Sequence, residues 1–230
     1  MTLAYATGMW QIFKGSVGSA VVVSGGITQM GAGPMLTGSG KFAAQPRAVE
    51  RSFDSLEVAG AASVEVTRAD SCSLEVHGDD NLVDLLETEM RGSTLCVSFK
   101  RGTIFSSSLP LKVVATAPSV VHVELSGSGY VTLASLKQPE LQVELNGSGD
   151  VIADGVVSSV SLTLNGSGDI DSRRLQARKA PIKLHGSGDI RALATGEAKV
   201  RLHGSGDVTV AGNPPSRDAK VSGSGDIDFR

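Results

Sequence analysis

Apolar and polar residues alternate with a period of two in six segments of the second half of the chain. These are Val123-Glu124-Leu125-Ser126, Val143-Glu144-Leu145-Asn146, Leu162-Thr163-Leu164-Asn165, Ile182-Lys183-Leu184-His185, Val200-Arg201-Leu202-His203 and Ala219-Lys220-Val221-Ser222. Such alternation predicts half-buried strands, with the Leu/Val column turned inward and the Glu/Thr/Lys/Arg column turned to solvent. The alternation resumes a few residues later in Val131/Leu133, Val151/Ala153, Ile170/Ser172, Ile190/Ala192, Val208/Val210 and Ile227/Phe229.

Gly-Ser-Gly separates the two halves of every segment. The glycines are Gly127 and Gly129, Gly147 and Gly149, Gly166 and Gly168, Gly186 and Gly188, Gly204 and Gly206, and Gly223 and Gly225. Successive first glycines lie 20, 19, 20, 18 and 19 residues apart. A unit this short cannot bury an apolar face alone, so the units must stack, and a period of this length without helical patterning predicts an all-β parallel β-helix, a β-solenoid of about 19-residue coils. Each coil is expected to hold two strands joined by the corner, where glycine supplies positive φ or close approach to the coil above.

Asp follows the second glycine at Asp150, Asp169, Asp189, Asp207 and Asp226, and Tyr130 takes that place in the first copy. Asp in a turn is expected to accept a hydrogen bond from a nearby N–H and close an Asx turn. The polar spacers 134–140 and 173–180 read as loops, with Pro139 and Pro181 at loop or strand-start positions.

The repeated Leu-x-Gly-Ser-Gly-Asp-Val/Ile is preceded by Phe53-Asp-Ser-Leu-Glu-Val-Ala-Gly, Asp79-Asp-Asn-Leu with Glu87-Thr-Glu-Met, and Phe99-Lys-Arg-Gly. Together these resemble the head GIN domain family over residues 47–230. The resemblance implies a right-handed β-helical fold in a bacterial protein of adhesin-like class with no established activity, and it offers no catalytic residues to carry over.

The chain has 230 residues, a net charge of −3 and 4% aromatics, so its core must be built from stacked Val, Leu, Ile and Ala. Residues 47–118 hold 7 basic and 11 acidic side chains, and residues 119–230 hold 12 and 13. Neither balance suits a phosphate-binding surface, and no nucleic-acid partner is expected. Residues 1–46 contain no acidic side chain, and Lys14 and Lys41 are their only charges. They read as a leader, mobile or a degenerate export segment. The apolar run 20–23 is far shorter than a membrane span. Gly38-Ser-Gly-Lys41 echoes the repeat and suggests a first strand near Lys41. Residues 47–230 then form one domain, with irregular coils over 47–118, where Gly60-Ala-Ala-Ser stands in for a corner, and regular repeats over 119–230. Asn81–Met90 is the one stretch that resembles a short helix or an irregular excursion.

Cys72 shares strand parity with Leu74 and Val76, whereas Cys96 alternates with Leu95 and Val97, so the two face opposite ways and free thiols are expected. The Asp column would repeat every ~4.8 Å, but it departs from the Gly-Gly-x-Gly-x-Asp nonapeptide of calcium-binding solenoids, and no metal or cofactor is expected. His185 and His203 should stack in a polar ladder with Asn146 and Asn165, without the further ligands that zinc needs. No nucleophile–base pair is apparent, and the reading is of a non-catalytic envelope or surface module, periplasmic or extracellular, that binds a surface glycan or a protein. A β-helix that binds or cleaves polysaccharide is the alternative. The C-terminal coil, around Ile227 and Phe229, is expected to offer an edge for self-association.

Overall fold

The computed structural model describes residues 21–23, 35–49 and 51–230. Most of the leader, residues 1–20 and 24–34, lies outside the described residues. The N-terminal part comprises β1 (Val21–Val23), β2 (Leu36–Thr37), β3 (Phe42–Pro46), β4 (Ser55–Gly60), β5 (Ser63–Arg68), β6 (Ser73–Asp79), β7 (Leu86–Arg91), β8 (Thr94–Phe99), β9 (Ile104–Ser106) and β10 (Lys112–Ala117). The repeats form β11 (His122–Gly127), β12 (Tyr130–Gly147), β13 (Asp150–Gly166), β14 (Asp169–Gly186), β15 (Ile190–Gly204), β16 (Val208–Ala211), β17 (Ser216–Gly223) and β18 (Ile227–Phe229).

From β4 onward the pre-corner strands stack in parallel, and the fold is an all-β solenoid. Gly60, Gly127, Gly147, Gly166, Gly186, Gly204 and Gly223 lie in one unbroken register across seven coils. The inward Leu125, Leu145, Leu164, Leu184 and Leu202 are wholly buried, as the alternation requires. Among the described residues antiparallel pairing is confined to the N-terminal end, in β7–β8, β3–β6, β6–β10 and β1–β9.

The coil differs from the expected pair of strands with a loop between. β12, β13 and β14 each run as one strand of 17 or 18 residues from corner to corner, and the spacers 134–140 and 173–180 belong to them. The physical reason is stacking: a spacer lying on the spacer of the next coil can pair its backbone groups there, which a solvated loop would not do. The bend is made by register slips between Leu133 and Leu136, Ile152 and Asp154, and Ser172 and Gln176. At the first slip Ser135 takes φ +60°, and its N–H donates to Asp154 Oδ1 at 2.6 Å. Pro139 and Pro181 sit inside strands, and the ladder registers β12–β13 and β13–β14 each skip the proline, where a donor is missing.

Asn81–Met90 holds a single 3-10 turn, Val83–Leu85, before β7 begins at Leu86. β3 falls inside the segment read as a leader, and it pairs with β6 from Phe42↔Asp79 to Pro46↔Glu75. Asp79, Thr132, Gln138 and Ser172 are the buried polar side chains among the described residues, and Asp79, Gln138 and Ser172 bond to the backbone. Gln138 bonds both N–H and C=O of Val120, at 3.1 and 2.6 Å, and Ser172 Oγ donates to Arg191 O at 3.1 Å.

Candidate functional site

The corners line up in register along one edge of the stack. The first glycine of each Gly-Ser-Gly has φ between +133° and +145°, a range closed to side chains. Both glycines are also pressed against the neighbouring coil: a Cβ on Gly166 would lie inside the carbonyl oxygen of Gly147. A Cβ on Gly168 would lie inside the carbonyl oxygen of Gly149 in the coil above, and Gly188 meets Gly168 in the same way. With both glycines in place the coils approach closely enough for Ser167 and Gly168 N–H to share the Gly147 carbonyl, at 2.9 and 3.2 Å.

The corner aspartates do not close their own turns. Asp150 Oδ1 accepts from Asp169 N–H at 3.2 Å, Asp169 from Asp189 at 3.0 Å, Asp189 from Asp207 at 3.1 Å, and Asp207 from Asp226 at 2.9 Å. The expected Asx turn is therefore corrected to a ladder between coils. Parallel stacking carries the next N–H past each carboxylate, whose second oxygen stays free for solvent or a neighbour. Arg191 uses that freedom, donating to Asp169 at 3.3 Å and to Asp189 at 2.8 Å, which offsets repulsion between stacked carboxylates. Two residues beyond Asp169, the Arg173 guanidinium beside Asp171 holds that carboxyl below the usual range, with partial burial opposing it.

On the other side of the corner Asn165 Nδ2 donates to Asn146 Oδ1 at 2.8 Å, and the rings of His185 and His203 stack 4.9 Å apart at 9°. The outer hydroxyls Ser148, Ser167, Ser187 and Ser205 are exposed along the crest. The result is a straight array of hydroxyl, amide or imidazole, and carboxylate, repeated once per coil. Among the described residues no group of three His, Cys, Asp or Glu converges as a metal site.

The array ends at a groove of about 940 Å³, open to solvent, between the first corner and the β7–β8 hairpin. Its walls carry Arg47, Asp84, Glu87, Arg91 and Glu57, with Arg91 bonded to Glu89 at 2.6 Å. Cys96 lines it too, its Sγ donating to Glu57 Oε2 at 3.4 Å; burial first, and then this hydrogen bond, push the thiol up to about 11. Cys72 packs against the core, and both cysteines are free.

The sequence reading missed Asp79. Its carboxylate, wholly buried, accepts from the N–H groups of Gly40 (2.7 Å), Ser108 (2.9 Å) and Leu109 (3.0 Å). Asp80 accepts from Ser39 Oγ at 2.5 Å, and Asn81 takes Ser39 N–H at 3.0 Å while donating to Thr37 O at 2.8 Å. Asp79-Asp80-Asn81 thus clamps Gly38-Ser39-Gly40 onto the body. The signal was present as two short polar motifs 39 residues apart, but nothing local in the sequence joins them.

The stacked corners and their register invite comparison with known proteins. The family described as "Putative auto-transporter adhesin, head GIN domain" matches residues 52–214. The chain belongs to the head GIN domain family. Among solved structures it is similar to a protein titled a putative adhesin from Bacteroides fragilis, with TM-score 0.68 and 22% identity over 85% of this chain and 100% of that one. A second, titled a putative adhesin from Parabacteroides distasonis, gives TM-score 0.56 and 17% identity over 85% and 100%. A third, titled a putative lipid binding protein from the same species, gives 0.51 and 23% over 85% and 99%. No curated protein matches the chain. At these identities the likeness is one of fold. No helix among the described residues is long and apolar enough to cross a membrane.

Proposed function

We propose that this head GIN domain is a non-catalytic module of the bacterial cell envelope or surface, whose rigid solenoid presents a periodic polar edge to an extended glycan or protein. The observation that carries this is the corner array, in which Asp150, Asp169, Asp189, Asp207 and Asp226 stand in line, four of them fixed to the next coil by a hydrogen bond. A ligand with its own repeat can engage several equivalent positions at once, and weak single contacts then sum. A solenoid edge is also fixed before binding, so little conformational entropy is lost.

The test is retention of the protein on arrays of bacterial glycans and envelope proteins, with product analysis of the same glycans. Retention without cleavage, weakened when Asp169 and Asp189 are both changed to Ala, supports the proposal. Glycan cleavage would replace it with the polysaccharide-active alternative. Surface accessibility to added protease in the native cell tests the location.

A further inference from the structure

The solvent face of the pre-corner strands carries an ordered charge sequence. In register, one residue per coil, it reads Glu57, Glu124, Glu144, Thr163, Lys183, Arg201, Lys220. Three acids, one neutral residue and three bases follow one another along the axis. Glu124 and Glu144 are held in line by Asn146 Nδ2, at 3.5 and 3.1 Å. Neither of them, nor Lys183 or Lys220, makes an ion pair with another described residue, whereas Arg201 pairs with Asp218 of its own chain at 2.6 Å. A neighbouring column runs Glu140, Ser159, Lys179, Glu197, Ser216, and keeps the order over its first three coils only.

We propose that two copies of this chain associate face to face and antiparallel through this surface, with Thr163 at the two-fold axis. A two-fold running along the strand direction keeps each column opposite itself and reverses the order of coils. Glu144 then meets the partner's Lys183, Glu124 the partner's Arg201, and Glu57 the partner's Lys220. Glu140 meets the partner's Lys179 in the same operation. Each contact occurs twice, as an isologous interface requires. Parallel docking of the same faces would set Glu on Glu and Lys on Lys, and a shift by one coil in the antiparallel docking would set Thr163 opposite a charge. The charge order therefore selects one orientation and one register.

The occupant is a second copy because its charge sequence is the inverse of this one when turned end for end. The column spans six coil spacings, about 29 Å, and the face from the Glu140 column to the Asn146 column is about 20 Å wide, giving about 600 Å² per partner. That lies below the common ~800 Å² per partner of stable complexes, and the contacts are exposed ion pairs. The dimer is accordingly weak, reversible and sensitive to salt.

Sedimentation of the full chain over a wide concentration range, in about 20 mM and about 500 mM salt, tests this. The parent is expected to dimerise at low salt and to dissociate at high salt, with affinity falling at least ~tenfold. Two variants separate the proposal from misfolding and from the C-terminal coil. Lys183→Glu with Arg201→Glu makes the face acidic, and Glu124→Arg with Glu144→Lys makes it basic. Each is expected to be monomeric alone, and an equal mixture is expected to form the heterodimer. A parent that stays monomeric at low salt overturns the proposal. So does an acidic variant that dimerises as the parent does, or a mixture that fails to associate. A dimer lost on Ile227→Lys with Phe229→Lys but kept in the charge variants would assign self-association to the terminal coil instead, and overturn it too.

Discussion

Asp79 does its work by holding three backbone N–H groups that would otherwise be buried without acceptors. Hydrogen bonds to an ionised acceptor are the stronger kind, and leaving their donors unpaired costs more than the bonds themselves contribute. Asp79→Ala is therefore expected to destabilise the protein by about 3 kcal/mol. It should also release Gly38–Pro46 to proteolysis; urea denaturation and limited digestion read the two effects, and unchanged protection of that segment would contradict the clamp. Cys96 gives a second measurement at this scale. With its thiol pushed up to about 11 from an ordinary 9.0, the thiolate fraction near pH 8 falls about a hundredfold. Alkylation of Cys96 should be correspondingly slow, and faster in Glu57→Gln, which removes an acidic neighbour that disfavours the thiolate. Strand parity had already placed the two thiols on opposite faces, because it needs only the period of two. The partner of Cys96 was not legible, since Glu57 lies 39 residues away and reaches it by stacking of β4 on β8.

In the corner both glycines lie against the neighbouring coil, and the first also needs a positive φ. Gly166, at φ +145°, lies against the Gly147 carbonyl and Gly168 against the Gly149 carbonyl, so alanine at either site forces the coils apart. Gly166→Ala and Gly168→Ala are each expected to cost at least ~2 kcal/mol, while Ser167→Ala, exposed at the crest, should stay within ~0.5 kcal/mol. Thermal or chemical unfolding of the three variants checks the contrast, and equal effects would contradict it. Corners and pre-corner strands were legible because each repeats a short local code. The spacers 134–140 and 173–180 were not, because their polar composition and prolines match those of a loop. What makes them strands is the neighbouring spacer at the same height, a contact that sequence-local reasoning does not contain. The aspartates were misjudged for the same reason: turn chemistry looks along the chain, and their partners lie across it.

The whole molecule is a stack whose properties run along its axis. Its N-terminal end is closed by antiparallel strands and by the Asp79 clamp. At the C-terminal end β17 pairs with β15, and Arg217 lies 5.1 Å over the ring of Phe229. Residues of β17 are exposed throughout, Val221 among them at 43%. Between the ends the coils from Gly147 to Asp226 repeat the same Gly-Ser-Gly-Asp corner on one edge, while the adjoining face changes from acidic to basic. Neither the array nor the charge order is visible in a single repeat; both appear only when the register between repeats is known. Both therefore depend on the register. Double electron–electron resonance tests it with spin labels at the exposed crest serines, in a background where Cys72 and Cys96 are replaced. With one label at Ser224 and the second moved from Ser167 to Ser148 and then Ser128, the stack predicts narrow distributions whose mean grows by about 4.8 Å per coil, reaching about 24 Å for the five steps from Ser128 to Ser224. Distances that fail to grow in equal steps, or broad distributions, would contradict a parallel in-register solenoid.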